Sequence, residues 1–255
     1  MPVRLLISVL LALGLTACNT TPIQNQDEDS TGSLGTPEAE PSRGDIYVQL
    51  AIAYMREGNL AEALKNAKKA VMVDDGSANA YNVLALTHQR LGQASLAEQN
   101  YKKALRIQSR NAYVLNAYGS LLCSMERFDE ADAQFEKALE NPLYPTPWVV
   151  RHNMGLCADK VKDSDKAETN YRRALQLNPG FAPSLLRMAQ VSFDRGKALA
   201  ARAYLERYAE AAAHTAESLW LGRNVEKELG DRKQREMYES KLRSSFPDSV
   251  YLKNL

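Results

Sequence analysis

An alanine recurs at Ala63, Ala97, Ala131, Ala167 and Ala201, at intervals of 34, 34, 36 and 34 residues, and this period governs what the chain can fold into. Seven residues after each comes a second register: Ala70, Ala104, Ala138, Ala174 and then Tyr208. Seven residues are close to two turns of helix, so both registers share one helical face. A turn precedes each alanine, at Glu57-Gly58-Asn59, Leu91-Gly92-Gln93, Glu126-Arg127, Lys162-Asp163 and Arg195-Gly196-Lys197. The composition agrees with helices, since only 13 Gly and 10 Pro occur among 255 residues and Ala and unbranched side chains lose little entropy on becoming helical. A unit this short cannot bury its apolar face alone, so successive units must stack.

The residues of each unit resemble the tetratricopeptide repeat, two antiparallel helices joined by a tight turn. Unit one supplies Tyr47, Leu50, Ala51, Tyr54, Ala63 and Ala70; unit two Tyr81, Leu84, Ala85, His88, Ala97, Tyr101 and Ala104; unit three Leu115, Tyr118, Gly119, Leu122, Ala131, Phe135 and Ala138. Unit four supplies Met154, Gly155, Ala167, Tyr171, Ala174 and Pro179, and unit five Leu185, Met188, Ala189, Ala201, Leu205 and Tyr208. A sixth, with its turn at Gly230-Asp231 and Arg235 at the alanine site, reads as an atypical cap with a wetter outer face. The resemblance implies an all-α, right-handed superhelical solenoid of about six repeats over 44–255, at about 44–77, 78–111, 112–145, 148–181, 182–215 and 216–249. The one longer interval falls at Asn141-Pro142-Leu143-Tyr144-Pro145-Thr146-Pro147-Trp148, where three prolines stop a helix. That segment is either a tolerated insertion or a rigid, aromatic-bearing protrusion.

The first residues stand apart from the repeats. Leu5 to Leu15 is an apolar run of about eleven residues, too short for a bilayer that takes roughly 20 but suited to a signal peptide over 1–17. It ends in Leu15-Thr16-Ala17-Cys18, which resembles the bacterial lipobox. That resemblance implies cleavage before Cys18, acylation of Cys18, and, with Asn19 following, sorting to the outer membrane. Each buried methylene is worth about 0.8 kcal/mol, so several acyl chains anchor durably. Residues 18–43 read as a flexible linker, rich in Pro, Gly, Ser, Thr and acids and without an apolar face. About 25 such residues span roughly 25–30 Å.

Little in the chain suggests chemistry. Charge is balanced, 32 basic against 31 acidic residues for a net +1, which lacks the basic excess of a nucleic-acid binder. His88, His152 and His214 are scattered, no Cys pair has C-x-x-C spacing, and no phosphate loop or G-x-S-x-G elbow occurs. His88 holds a position where the repeat has Tyr, and reads as a core residue. The expectation is a binding protein without catalytic residues, cofactor, metal, nucleic-acid partner or small-molecule substrate.

In such repeats the first helices line the concave face, and the resemblance implies that a ligand lies there. The matching positions are Val48, Ile52 and Met55; Asn82, Leu86 and Gln89; Asn116, Ser120 and Cys123; His152, Leu156 and Asp159; and Leu186, Gln190 and Phe193. Few are cationic, so a carboxylate clamp is not expected; apolar and amide side chains suit a helix or an extended segment whose backbone they can bond. Cys123 and Cys157 fall late in neighbouring first helices and are either bridged or buried thiols, the former needing Cα atoms within about 7 Å. A bridge would restrain the unfolded chain by roughly 3–4 kcal/mol.

Lipobox, tether and six repeats together resemble the type IV pilus biogenesis lipoproteins of the PilF/PilW kind, the pilotins. That resemblance implies an outer-membrane adaptor, lipid-anchored at Cys18, that brings secretin subunits to the membrane and promotes their multimerisation for pilus biogenesis and twitching motility. Two alternatives use similar repeats: a lipoprotein of the outer-membrane barrel assembly machinery, and a scaffold for cell-wall enzymes.

Overall fold

The computed structural model describes residues 42–254; the expected signal peptide, Cys18 and the linker up to residue 41 lie outside them. Among the described residues there are twelve α-helices and no strand. Six serve as first helices of a pair: α1 (Arg43–Arg56), α3 (Ala78–Arg90), α5 (Ala112–Ser124), α7 (Pro147–Lys160), α9 (Ala182–Asp194) and α11 (Ala216–Leu229). Each is followed by its partner: α2 (Leu60–Val73), α4 (Ala94–Ile107), α6 (Phe128–Leu139), α8 (Ser164–Leu177), α10 (Ala198–Ala211) and α12 (Arg232–Ser245). A short 3-10 turn, Val250–Asn254, is the last of the described elements.

Local chemistry sets these boundaries. Ser42 and Asp45 form a capping box at the start of α1, and Asn59, Ser77, Asn111, Asp163 and Asp231 each accept a backbone N–H from the first turn that follows. Within a pair the chain reverses through one left-handed residue, glycine in four turns but Glu126 and Lys162 in the other two. The two alanine registers are fully buried, which lets paired helices approach closely, and Gly119 brings α5 nearer still to α6. A Cβ on Gly119 would stand 2.7 Å from the Phe135 ring.

Pairs stack by contacts between successive first helices and between each second helix and the next pair. The second helices add a recurring ion pair from the residue after the repeat alanine. Glu98 reaches Arg127 at 2.8 Å, Asp132 meets Lys166, Glu168 reaches Arg195 at 2.5 Å, and Arg202 meets the buried Glu226. Surface ion pairs contribute about 0.2–1 kcal/mol each; of these four only Arg202–Glu226 has a buried member, so apolar packing carries most of the stacking. On α12 of the last repeat only Tyr238 and Leu242 are buried; the rest of that helix is half-buried or exposed.

Two substitutions separate packing from turn strain. Gly119→Ala should cost about 1–3 kcal/mol through overpacking against Phe135. Lys162→Gly, which relieves a left-handed non-glycine residue, should stabilise by up to about 1 kcal/mol. Urea unfolding of the two variants beside the parent checks both signs.

Candidate client-binding surface

Contacts between first helices redistribute the expected groove residues. In several repeats the fifth or twelfth residue points at the third or tenth of the next, whereas Gln89 and Asp159, also twelfth residues, turn to their own second helix. Thus His152 Nδ1 lies 3.0 Å from Ser184 Oγ, and Thr87 Oγ1 lies 3.5 Å from Met55 Sδ. The equivalent of the Met55–Thr87 contact two repeats later is Cys123 with Cys157, joined in disulfide geometry with Cα atoms 5.8 Å apart. Val48, Met55, Cys123, His152 and Leu186 are consequently buried. These positions were expected to face a ligand; instead they are consumed by stacking, because a side chain there meets the next helix before it meets the groove.

The remaining expected residues keep some surface: Ile52, Asn82, Leu86, Gln89, Asn116, Ser120, Leu156, Gln190 and Phe193 are half-buried and Asp159 is exposed. Their polar atoms are less free than the sequence suggests. Gln89 Oε1 accepts from the Tyr101 hydroxyl at 2.8 Å and Asp159 from that of Tyr171, so the twelfth position braces the helix's own partner. Asn116 Oδ1 accepts from Asn153 Nδ2 at 2.9 Å, Ser120 Oγ donates to the Asn116 carbonyl, and Gln190 Nε2 donates to Asp194. Asn82 Oδ1 is buried without a hydrogen-bond partner. The groove is thus an apolar ridge of Ile52, Leu86, Leu156 and Phe193, flanked by amides that, Asn82 apart, are engaged by neighbouring side chains.

A second surface was not expected from the sequence. On α1, Ile46 is 48% and Leu50 40% exposed, and Ala53 is exposed beside them. The corresponding residues of later repeats are covered: Ala80, Leu84 and Thr87; Val114, Tyr118 and Leu121; Val150, Met154 and Cys157. Each of those lies under the preceding repeat, which α1 lacks among the described residues. Ile46, Gln49, Leu50, Ile52, Ala53 and Arg56 line a recess of about 410 Å³ that joins this open face to the groove through Ile52. The legible signal was positional: these residue types sit where an internal repeat buries them.

The proline-rich segment also differs from the protruding-aromatic expectation. Tyr144 is buried, packed edge-on against Tyr113 with centroids 5.0 Å apart, and Leu143 is the exposed tip. A recess of about 480 Å³ beside it is lined by Arg110, Tyr113, Leu143 and Pro145 among others. Its walls are loop backbone and single side chains, whereas the α1 recess is built on a helix and continues an apolar ridge.

The tetratricopeptide repeat pattern matches residues 42–110, 76–142 and 150–181. The chain is 33% identical over 250 residues to the type IV pilus assembly protein PilF of Pseudomonas aeruginosa, covering 98% of this chain and 96% of that one. The crystal structure of PilW, described as a widely conserved type IV pilus biogenesis factor, superposes with a TM-score of 0.72 at 31% identity, covering 83% of this chain and 97% of the other. A structure of Pseudomonas aeruginosa PilF gives the same TM-score at 32% identity, over 83% and 95% of the two chains. The chain belongs to the tetratricopeptide-repeat proteins of the PilF and PilW type.

Within this family member the least ordinary buried group is His152. Its ring lies 5.5 Å from that of Tyr171 and 5.4 Å from that of Phe181, and burial, with Arg187 nearby, pushes its pKa down to about 4. A histidine depressed below its unfolded value near 6.5 favours the native state when neutral, so its contribution is complete above about pH 6.5 and lost as pH falls towards 4. His214, lowered by burial and then by Lys241, acts in the same direction. His152 alone accounts for a loss on the order of 3 kcal/mol across that window. Denaturant titrations at pH 7 and pH 4 should show it, and His152→Phe should shrink the difference between the two.

Proposed function

We propose that the protein is a pilotin: an outer-membrane lipoprotein, anchored through Cys18, that binds secretin subunits and promotes their multimerisation for type IV pilus biogenesis and twitching motility. The observation that carries this reading is kinship with PilF along nearly the whole of both chains, lipobox and tether included, rather than over the repeats alone. The geometry suggests a binding mode. An apolar client segment lies along Ile52, Leu86, Leu156 and Phe193 and turns over the α1 face onto Ile46 and Leu50. Asn82, Asn116, Gln89, Ser120, Asp159 and Gln190 border it, while Val48, Met55, His152 and Leu186 hold the first helices in register beneath. Cys18 supplies the address, and confinement near the membrane raises the effective concentration of captured subunits.

The oxidising compartment implied by this location keeps Cys123 and Cys157 bridged. The bridge ties the third repeat to the fourth beside the proline-rich insertion, where the repeat spacing is irregular. The purified, denatured protein should therefore show no thiol from this pair until a reductant is added; two titratable thiols before reduction would contradict it.

Deleting the gene and complementing with the parent or with Leu50→Glu tests the function. Loss of surface pili, secretin left monomeric, and rescue by the parent but not by Leu50→Glu are expected. Intact pili and secretin rings in the deletion strain would overturn the reading. General porin loss would favour barrel assembly instead, and altered septation a cell-wall scaffold.

A further inference from the structure

The two ends of the solenoid are unlike. At the start, α1 presents Ile46, Leu50 and Ala53, which in every later repeat are stacking residues under a preceding helix. At the end, α11 would present the reciprocal face to a following repeat. Its fifth residue is Trp220, in register with His152 and Leu186, both of which lean on the next first helix. No seventh pair follows among the described residues; the C-terminal 3-10 turn lies there instead. Tyr251 stacks on Trp220 with centroids 5.7 Å apart and planes 17° from parallel, and Arg223 lies 5.2 Å from the same ring. Leu252 and Phe246 join Trp220 and Ala216 around the buried Leu219, Tyr238 and Leu242. Ser249 fixes the turn: its N–H donates to the Phe246 carbonyl, its own carbonyl accepts from Leu252, and its Oγ accepts from the Tyr251 N–H.

We propose that residues 249–254 are a cap that prevents a second copy of the chain from stacking head to tail. Trp220 and its neighbours form the face that internal first helices offer forward, and the α1 face is what internal first helices offer backward. Uncapped, the two are complementary by the same geometry that joins α7 to α9. The contact is heterologous and does not close, so uncapped copies would add into open chains. The occupant of the uncapped end is a second copy because nothing else presents the repeat's own receiving positions at the matching spacing. The cap therefore also leaves the α1 face unoccupied by other copies. This inference does not depend on the identity of the client.

The test uses the mature chain with Cys18→Ser, so that lipid does not drive association, and its counterpart ending at Asp248. Sedimentation velocity over a concentration series should show a single copy for the capped chain. The shortened chain should self-associate at least about tenfold more tightly, and adding Ile46→Glu and Leu50→Glu to it should restore single copies. Tyr251→Asp in the full chain is the milder variant and should associate in the same, Leu50-dependent way. Trp148→Phe leaves Trp220 as the reporter, whose emission should shift to the red on cap loss and return on association. Helical, non-associating Tyr251→Asp and shortened chains would overturn the proposal, as would association unaffected by the α1 substitutions or a capped chain already assembled through its ends. If the shortened chain unfolds, Tyr251→Asp alone decides.

Discussion

The architecture depends on one contact repeated along the chain, the seating of each first helix against the next. Small residues permit it: alanines bring paired helices close, and residues such as Ala80, Val114, Val150 and Ser184 accept the side chains of the preceding helix. No repeat has a core of its own, so the free energy of the fold is spread along the stack and ordered largely between neighbours. The Cys123–Cys157 contact, the His152–Ser184 contact and the Met55–Thr87 contact are three chemical versions of this seat. The version in disulfide geometry stands where the insertion lengthens the interval to 36 residues.

A stack of this kind has two ends, and their chemistry decides what the protein can bind. The far end is closed by Tyr251 over Trp220 and by a polar α12. The near end leaves Ile46 and Leu50 in solvent, an exposure worth on the order of 1–2 kcal/mol for two half-covered side chains. Soluble proteins normally hide such faces behind polar capping repeats. The groove begins at Ile52 beside the open face, and both are built on α1.

Much of the fold was legible because it is periodic. Alanine registers and glycine turns speak locally, and the turns expected at Gly58, Gly92, Gly196 and Gly230 each hold a left-handed glycine. The binding surface was less legible, for a physical reason. Helical spacing groups Val48, Ile52 and Met55 on one side of α1, yet the curvature of the stack divides that side between the next helix and solvent. On α1 only the middle residue, Ile52, stays in the groove, whereas Phe193, the last of its trio on α9, keeps its surface. Side-chain bonding was also hidden: nothing local in the sequence reveals that Gln89 is engaged by Tyr101 or Asp159 by Tyr171. The α1 face was overlooked because Ile46 and Leu50 have the residue types of any internal stacking position, and only the missing neighbour makes them a surface.

The central claim, that clients are held by α1 and the groove that begins there, is tested most directly by placing a photo-crosslinking amino acid at position 50 in living cells. Position 199 on α10, more solvent-accessible still, serves as the control, since Leu199 is 70% exposed against 40% for Leu50. The account predicts an ultraviolet-dependent adduct with the secretin at position 50, none at 199, and its disappearance when Ile52 and Leu86 are changed to Glu. Secretin adducts of equal yield at both positions, or at 199 alone, would contradict it.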